Sequence, residues 1–113
     1  MAEQDVLEEA GFPRAPSGWT PQTARDVAGR EGLTLTDEHW EAIRALQTYY
    51  ARNEDRPINL RDLHDALDEK FHLRGGIRRL YEILPGGPIA QGCRLAGLKA
   101  PFIATDLSFG SVA

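Results

Sequence analysis

The tetrapeptide Pro85-Gly86-Gly87-Pro88 constrains this chain more than any other stretch. A helix cannot run through it, because proline removes a backbone donor and glycine is entropically costly in a helix interior. The apolar run ending at Leu84 and the one starting at Ile89 must therefore be separate elements. Pro88 at a first helical position and Gly97 just past the last turn frame a short helix over roughly 88–96. Ile89, Cys93 and Ala96 fall on one face of it, with Gln91 and Arg94 off that face.

Similar punctuation divides the rest of the chain. Thr20-Pro21 opens a helix to about 31, with Ala24, Val27 and Ala28 inward and Gly32 at its end. Thr36 caps a second over 37–53, where Asp37 and Glu38 suit the positive end of the helix dipole. Trp40, Ile43, Leu46, Gln47 and Tyr50 recur along it at three- and four-residue steps, and Pro57 stops it. Asn59 caps a third over 60–72, whose stripe is Leu60, Leu63, Leu67 and Phe71. After Gly75-Gly76, Ile77, Leu80, Tyr81 and Leu84 mark a fourth over 76–84. The expected fold class is therefore mainly α, a small bundle of about five helices. Trp40, Ile43, Leu46, Leu63, Leu67, Leu80 and Leu84 are its expected core. Residues 1–18 read as a lead-in with a short extended piece near Phe12. Residues 98–113 read as an irregular tail whose Phe102, Ile103, Leu107 and Phe109 should pack on something, covering the Pro88 helix.

A length of 113 residues suits one domain, 1–113. No apolar run is long enough for a membrane helix, and the acidic start lacks the apolar core of a signal peptide. One cysteine allows no internal disulfide, so a cytoplasmic location is expected. The net charge of −4 hides an asymmetry. Residues 1–69 hold 7 Lys/Arg against 15 Asp/Glu, whereas residues 70–99 hold 6 against Glu82 alone, a local net of +5. Arg78, Arg79, Arg94 and Lys99 in that basic island are candidate partner-binding residues for an acidic surface or phosphate groups. The competing reading is a solvated face that balances the acidic helices.

The C-terminal residues also resemble a known family. Leu80-Tyr81-Glu82-Ile83-Leu84-Pro85, Gly87-Pro88, Gln91-Gly92-Cys93, Ala96-Gly97-Leu98 and Pro101 follow the pattern of the DsrC/TusE sulfur-carrier proteins, which include the gamma subunit of dissimilatory sulfite reductase. Leu35-Thr36-Asp37-Glu38-His39-Trp40 and Tyr49-Tyr50 extend the likeness, which covers roughly 19–101. The resemblance implies a sulfur-relay protein that docks on a protein partner of a sulfur-transfer or sulfite-reductase-like system. It also implies an N-terminal β-hairpin, for which the segment ahead of Trp19 leaves room for a remnant at most. In the family a second cysteine, eleven positions after the inner one, carries the persulfide; Ala104 stands there in this sequence. The swinging-arm role therefore has no thiol at that position, and Cys93 is the one candidate persulfide or mixed-disulfide site. The protein is expected to be a carrier or regulator rather than a stand-alone enzyme.

The residues around Cys93 argue in both directions. Arg94 and Lys99 would favour a thiolate. An apolar helix face and a position towards the negative end of the helix oppose one. His39, His64 and His72 show no metal-ligand spacing, so neither a metal nor another cofactor is expected; His39, in a helix first turn, is expected on the surface. Asp62, Asp65, Asp68 and Glu69 read as a solvated helix face. The remaining alternative is a non-catalytic regulatory or DNA-binding protein, with helices three and four as a helix–turn–helix-like unit and Arg78 and Arg79 opening the second. Asp65, Asp68 and Glu69 would repel phosphate in that arrangement.

Overall fold

The computed structural model describes residues 11–101, and within them the chain forms five α-helices and no strand. They are α1 (Pro21–Arg30), α2 (Asp37–Arg52), α3 (Leu60–Lys70), α4 (Gly76–Ile83) and α5 (Ala90–Ala96). A single 3-10 turn, His72–Arg74, links α3 to α4. The boundaries follow the local chemistry that the residues dictate. Pro21 occupies the first turn of α1, and the N–H of Thr20 donates to Thr23 Oγ1. Asn59 Oδ1 accepts from the Asp62 N–H at 2.9 Å, a helix-capping bond. Gly75 and Gly76 both take left-handed backbone angles, which ends the 3-10 turn and starts α4 in a new direction.

α2 is the centre of the bundle. It packs against α3 and α4 on one side and α5 on another, while α1 also packs on α5. Ala42, Ile43, Leu46 and Gln47 of α2 are buried, as are Leu63 and Leu67 of α3, Leu80 of α4 and Leu84 after it. The expected core therefore matches at every position but one. Trp40 is only half-buried: it lies near the start of α2, where Phe12 meets it edge-on with ring centroids 5.7 Å apart and Arg25 stacks over its ring. Phe12 itself is buried, and the chain turns directly after it, with the Ala15 N–H donating to Phe12 O at 3.1 Å. The hairpin remnant and the tail residues Phe102, Ile103, Leu107 and Phe109 fall partly or wholly outside the described residues.

α5 is short and almost enclosed. Gln91, Gly92, Cys93, Leu95 and Ala96 are all buried. α2 packs tightly against Gly92: a Cβ there would lie 2.7 Å from Leu46 Cδ1. The helix ends at Gly97, whose φ of 76° lets the Leu98 N–H return to Cys93 O at 2.9 Å.

Candidate functional site

Cys93 sits in the last turns of α5 and is 1% exposed. Burial pushes its thiol above the ordinary range, and the hydrogen bond with Tyr50 only partly offsets that. Tyr50, on α2, places its hydroxyl 3.6 Å from Cys93 Sγ and donates to Lys99 O at 2.8 Å. A phenol has one hydrogen to give. With that hydrogen on the Lys99 carbonyl, the Cys93 S–H donates to Tyr50 Oη, and the thiol rests protonated. Tyr50 is itself pushed up, first by burial and then by Cys93.

The carbonyls at the C-terminal end of α5 would be orphaned in the interior without partners. Distant side chains supply them. Trp19 Nε1 donates to Leu95 O at 2.8 Å, and Gln47 Nε2 donates to Ala96 O at 3.0 Å. The entrance to α5 is held as firmly. Gln91 Oε1 accepts from the Gly86 N–H at 2.9 Å, and Gln91 Nε2 donates to Glu31 Oε1 at 2.8 Å. Arg94 grips the same Glu31 carboxylate through Nε at 2.6 Å and Nη2 at 3.0 Å. The Arg94 and Gln91 bonds hold the Glu31 pKa down at about 2.

The basic island is divided by this packing. Arg94 is bound to Glu31, and Arg79 bridges Glu38 and Glu82. Arg74 pairs with Glu41. Much of the local positive charge thus answers carboxylates on the acidic helices. Arg78 and Lys99 are exposed and form no ion pair among the described residues. The paired guanidiniums are still open to solvent, with the Arg79 and Arg94 side chains 40% and 50% exposed.

One expectation is overturned at His39, which is buried rather than on the surface. Its Nε2 donates to Ile83 O at 2.7 Å, and its Nδ1 accepts from the Thr36 N–H at 2.9 Å. The ring thereby closes the cap of α2 and satisfies the end of α4. A sequence signal existed: Thr36-x-x-His39 has the spacing of a capping box, with histidine where Glu or Gln is usual. Gln91 lies off the Ile89–Cys93–Ala96 face, as the spacing predicts, and is nevertheless buried by its bonds to Gly86 and Glu31. Asp62, Asp65, Asp68 and Glu69 are exposed, as expected, and Asp68 Oδ1 in addition accepts the Ile77 N–H at 2.8 Å at the start of α4.

Comparison with known proteins follows the same outline. The family model described as DsrC like protein matches residues 2–103. Sulfurtransferase TusE of Escherichia coli K12 is 35% identical over 92 residues, spanning 80% of this chain and 84% of the relative. Sulfurtransferase TusE of Yersinia pestis is 34% identical with the same coverage. The NMR structure of Allochromatium vinosum DsrC superposes with a TM-score of 0.65 at 35% identity, covering 84% of this chain and 85% of that one.

Proposed function

The chain belongs to the DsrC-like protein family, and from that premise we propose that it is a sulfur-relay protein that handles sulfur at Cys93 and docks on a protein partner. The observation that carries this reading is the pairing of the sequence's one cysteine with a tyrosine hydroxyl at 3.6 Å inside the family's matched segment. Transfer from a persulfide R–S–SH requires the Cys93 thiolate to attack the outer sulfur. The S–S bond breaks, R–S⁻ leaves and takes up the proton that Cys93 lost. The products are Cys93–S–SH and R–SH. Burial keeps the resting thiol protonated, so the step needs a local opening at α5 and a hydroxyl turned towards the sulfur. Tyr50 can provide the second by moving its hydrogen from Lys99 O to the thiolate.

The docking surface in this proposal comprises Arg78, Arg79, Arg94 and Lys99, and the partner presents acidic groups to it. Arg78 and Lys99 are its charges without an ion pair among the described residues; Arg79 and Arg94 contribute half-exposed guanidiniums already oriented by Glu38 and Glu31. A cytoplasmic location belongs to the same proposal; among the described residues no helix is long and apolar enough to cross a membrane. Nothing in the site favours the DNA-binding alternative, because Arg79 at the start of α4 is bound to carboxylates.

The test is mass spectrometry after incubation with a persulfide-bearing sulfurtransferase. Wild type should gain about 32 Da, one sulfur atom, and Cys93→Ser should gain nothing. Absence of the adduct on wild type, with Cys93 also resistant to alkylation in the folded protein, would reduce the residue to a core side chain.

A further inference from the structure

A cleft of about 420 Å³ opens beside Tyr50, between the segment at Arg14 and the C-terminal end of α2. That volume is within the usual size of small-molecule sites, roughly 300–1,000 Å³. Arg14, Gln47, Tyr50, Glu54, Arg56 and Leu98 are among its lining residues. Gln47 is 1% exposed, and its Oε1 has no hydrogen-bond partner among the described residues. A buried acceptor left unpaired is destabilising, because its lost hydration is not replaced. Its Nε2 already donates to Ala96 O, and turning the amide over would set two acceptors against each other and break that bond. The margin carries both signs of charge. Among the described residues Arg14 forms no ion pair and Arg56 pairs only with its neighbour Asp55 at 3.7 Å, while Glu54 supplies an exposed carboxylate.

We propose that this cleft binds a small zwitterionic thiol of the amino-acid or short-peptide type, and its persulfide, as the donor or acceptor of sulfur at Cys93. The ligand's carboxylates meet Arg14 and Arg56, its ammonium meets Glu54, and an amide N–H reaches Gln47 Oε1 once the Tyr50 side chain that helps to cover it is displaced. Tyr50 is then the wall between ligand and thiol: it lines the cleft, and its hydroxyl is 3.6 Å from Cys93 Sγ. Displacement of that side chain by the bound ligand would bring the two sulfurs together. The exchange is the balanced one given above, with the ligand as R–S–SH and released as R–SH. This inference rests on the relay reading for its chemistry but not for its binding.

The experiment separates the two. Reduced glutathione is titrated into wild type and Cys93→Ser, followed by amide chemical shifts and calorimetry. Both proteins should bind saturably in the millimolar range or tighter, with shifts at residues 14–16, 47–58 and 98. Arg14→Ala with Arg56→Ala, both at exposed positions, should weaken binding about tenfold, as expected for lost charge-assisted hydrogen bonds. Gln47→Met should weaken it too, and its folding is checked by the same spectra. Glutathione persulfide should then modify wild type at Cys93 more slowly in the double variant. No saturable binding, or binding unchanged by the double variant, overturns the cleft. Modification of Cys93 at equal rates in both proteins overturns it as well and leaves the relay reading intact. Saturable binding sensitive to Arg14 and Arg56, without any adduct, keeps the cleft and removes the relay chemistry.

Discussion

α5 and α4 are similar in length, seven and eight residues, yet they are built in opposite ways. Five residues of α5 are buried, and its end carbonyls are bound by Trp19 and Gln47, which lie 76 and 49 positions away in sequence. α4 buries only Gly76 and Leu80. Leu73, in the turn before it, is 95% exposed, and on the helix itself Tyr81 is 51% exposed and Arg78 open to solvent. The thiol therefore sits on the enclosed helix, whereas the docking charges are split between the outer face of α4, with Arg78 and Arg79, and the rim of α5, with Arg94 and Lys99. A change near Cys93 must alter stability and reactivity together. A change on the outer face of α4 can alter docking alone.

The most severe way to test that division is to hollow out each half. Leu46 and Leu67 are 0% and 3% exposed, so Leu46→Ala and Leu67→Ala should each cost about 2–5 kcal/mol in chemical denaturation. Only the first lies against α5, so only Leu46→Ala should also speed alkylation of Cys93 under native conditions. Equal acceleration by Leu67→Ala would show that the two halves open as one unit. Gly92→Ala is the next test. Its new methyl meets Leu46 Cδ1, and overpacking of this kind typically costs about 1–3 kcal/mol. An unchanged melting temperature would mean that α2 and α5 yield easily and that Cys93 is less confined than its burial suggests.

The Glu31 cluster gives a smaller effect with a defined pH window. A carboxylate with a depressed pKa contributes stability above its unfolded pKa and loses it as the pH falls through the folded one. For Glu31, held at about 2 by Arg94 and Gln91, that loss runs from its ordinary value of 4.5 downwards. Glu31→Gln should be less stable than wild type at neutral pH, and the two should converge towards pH 2. Cys93 gives the opposite limb: its raised pKa makes its contribution complete below the unfolded thiol pKa and lost at more alkaline pH. Cys93→Ala should therefore flatten the alkaline fall in stability, leaving the part that Tyr50 causes in the same direction.

The smallest stability change belongs to Arg78→Glu, an exposed residue with no ion pair among the described residues, where about 0.5 kcal/mol or less is expected. Partner capture should nevertheless fall sharply. Undiminished capture would remove the face from the mechanism. Arg79→Glu is not an equivalent probe, because the new carboxylate would face Glu38 and Glu82 and disturb the fold as well.

Local chemistry in the sequence was enough to delimit the helices and most of the core. Pro21, Asn59, Gly75-Gly76 and Gly97 act within one or two turns of themselves, and the stripes on α2 and α3 each need a single buried face. The family pattern around Cys93 was equally local. What the tertiary structure decided were the interactions that periodicity cannot see, since a repeat of 3.6 residues ranks faces but does not say how many are covered. Gln91 lies off the apolar face of α5 and is still buried, because Glu31 and Gly86 meet it there. His39 is polar and in a first turn, yet the carbonyl of Ile83 takes it inside. The clearest case is Cys93. Arg94 beside it in sequence suggested an activated thiolate, but that guanidinium turns outward to Glu31, while burial in the core raises the thiol pKa and the one side-chain partner at the sulfur among the described residues is Tyr50, 43 positions away. A charge acts through distance in space and through solvent, and neither is written in the order of the residues.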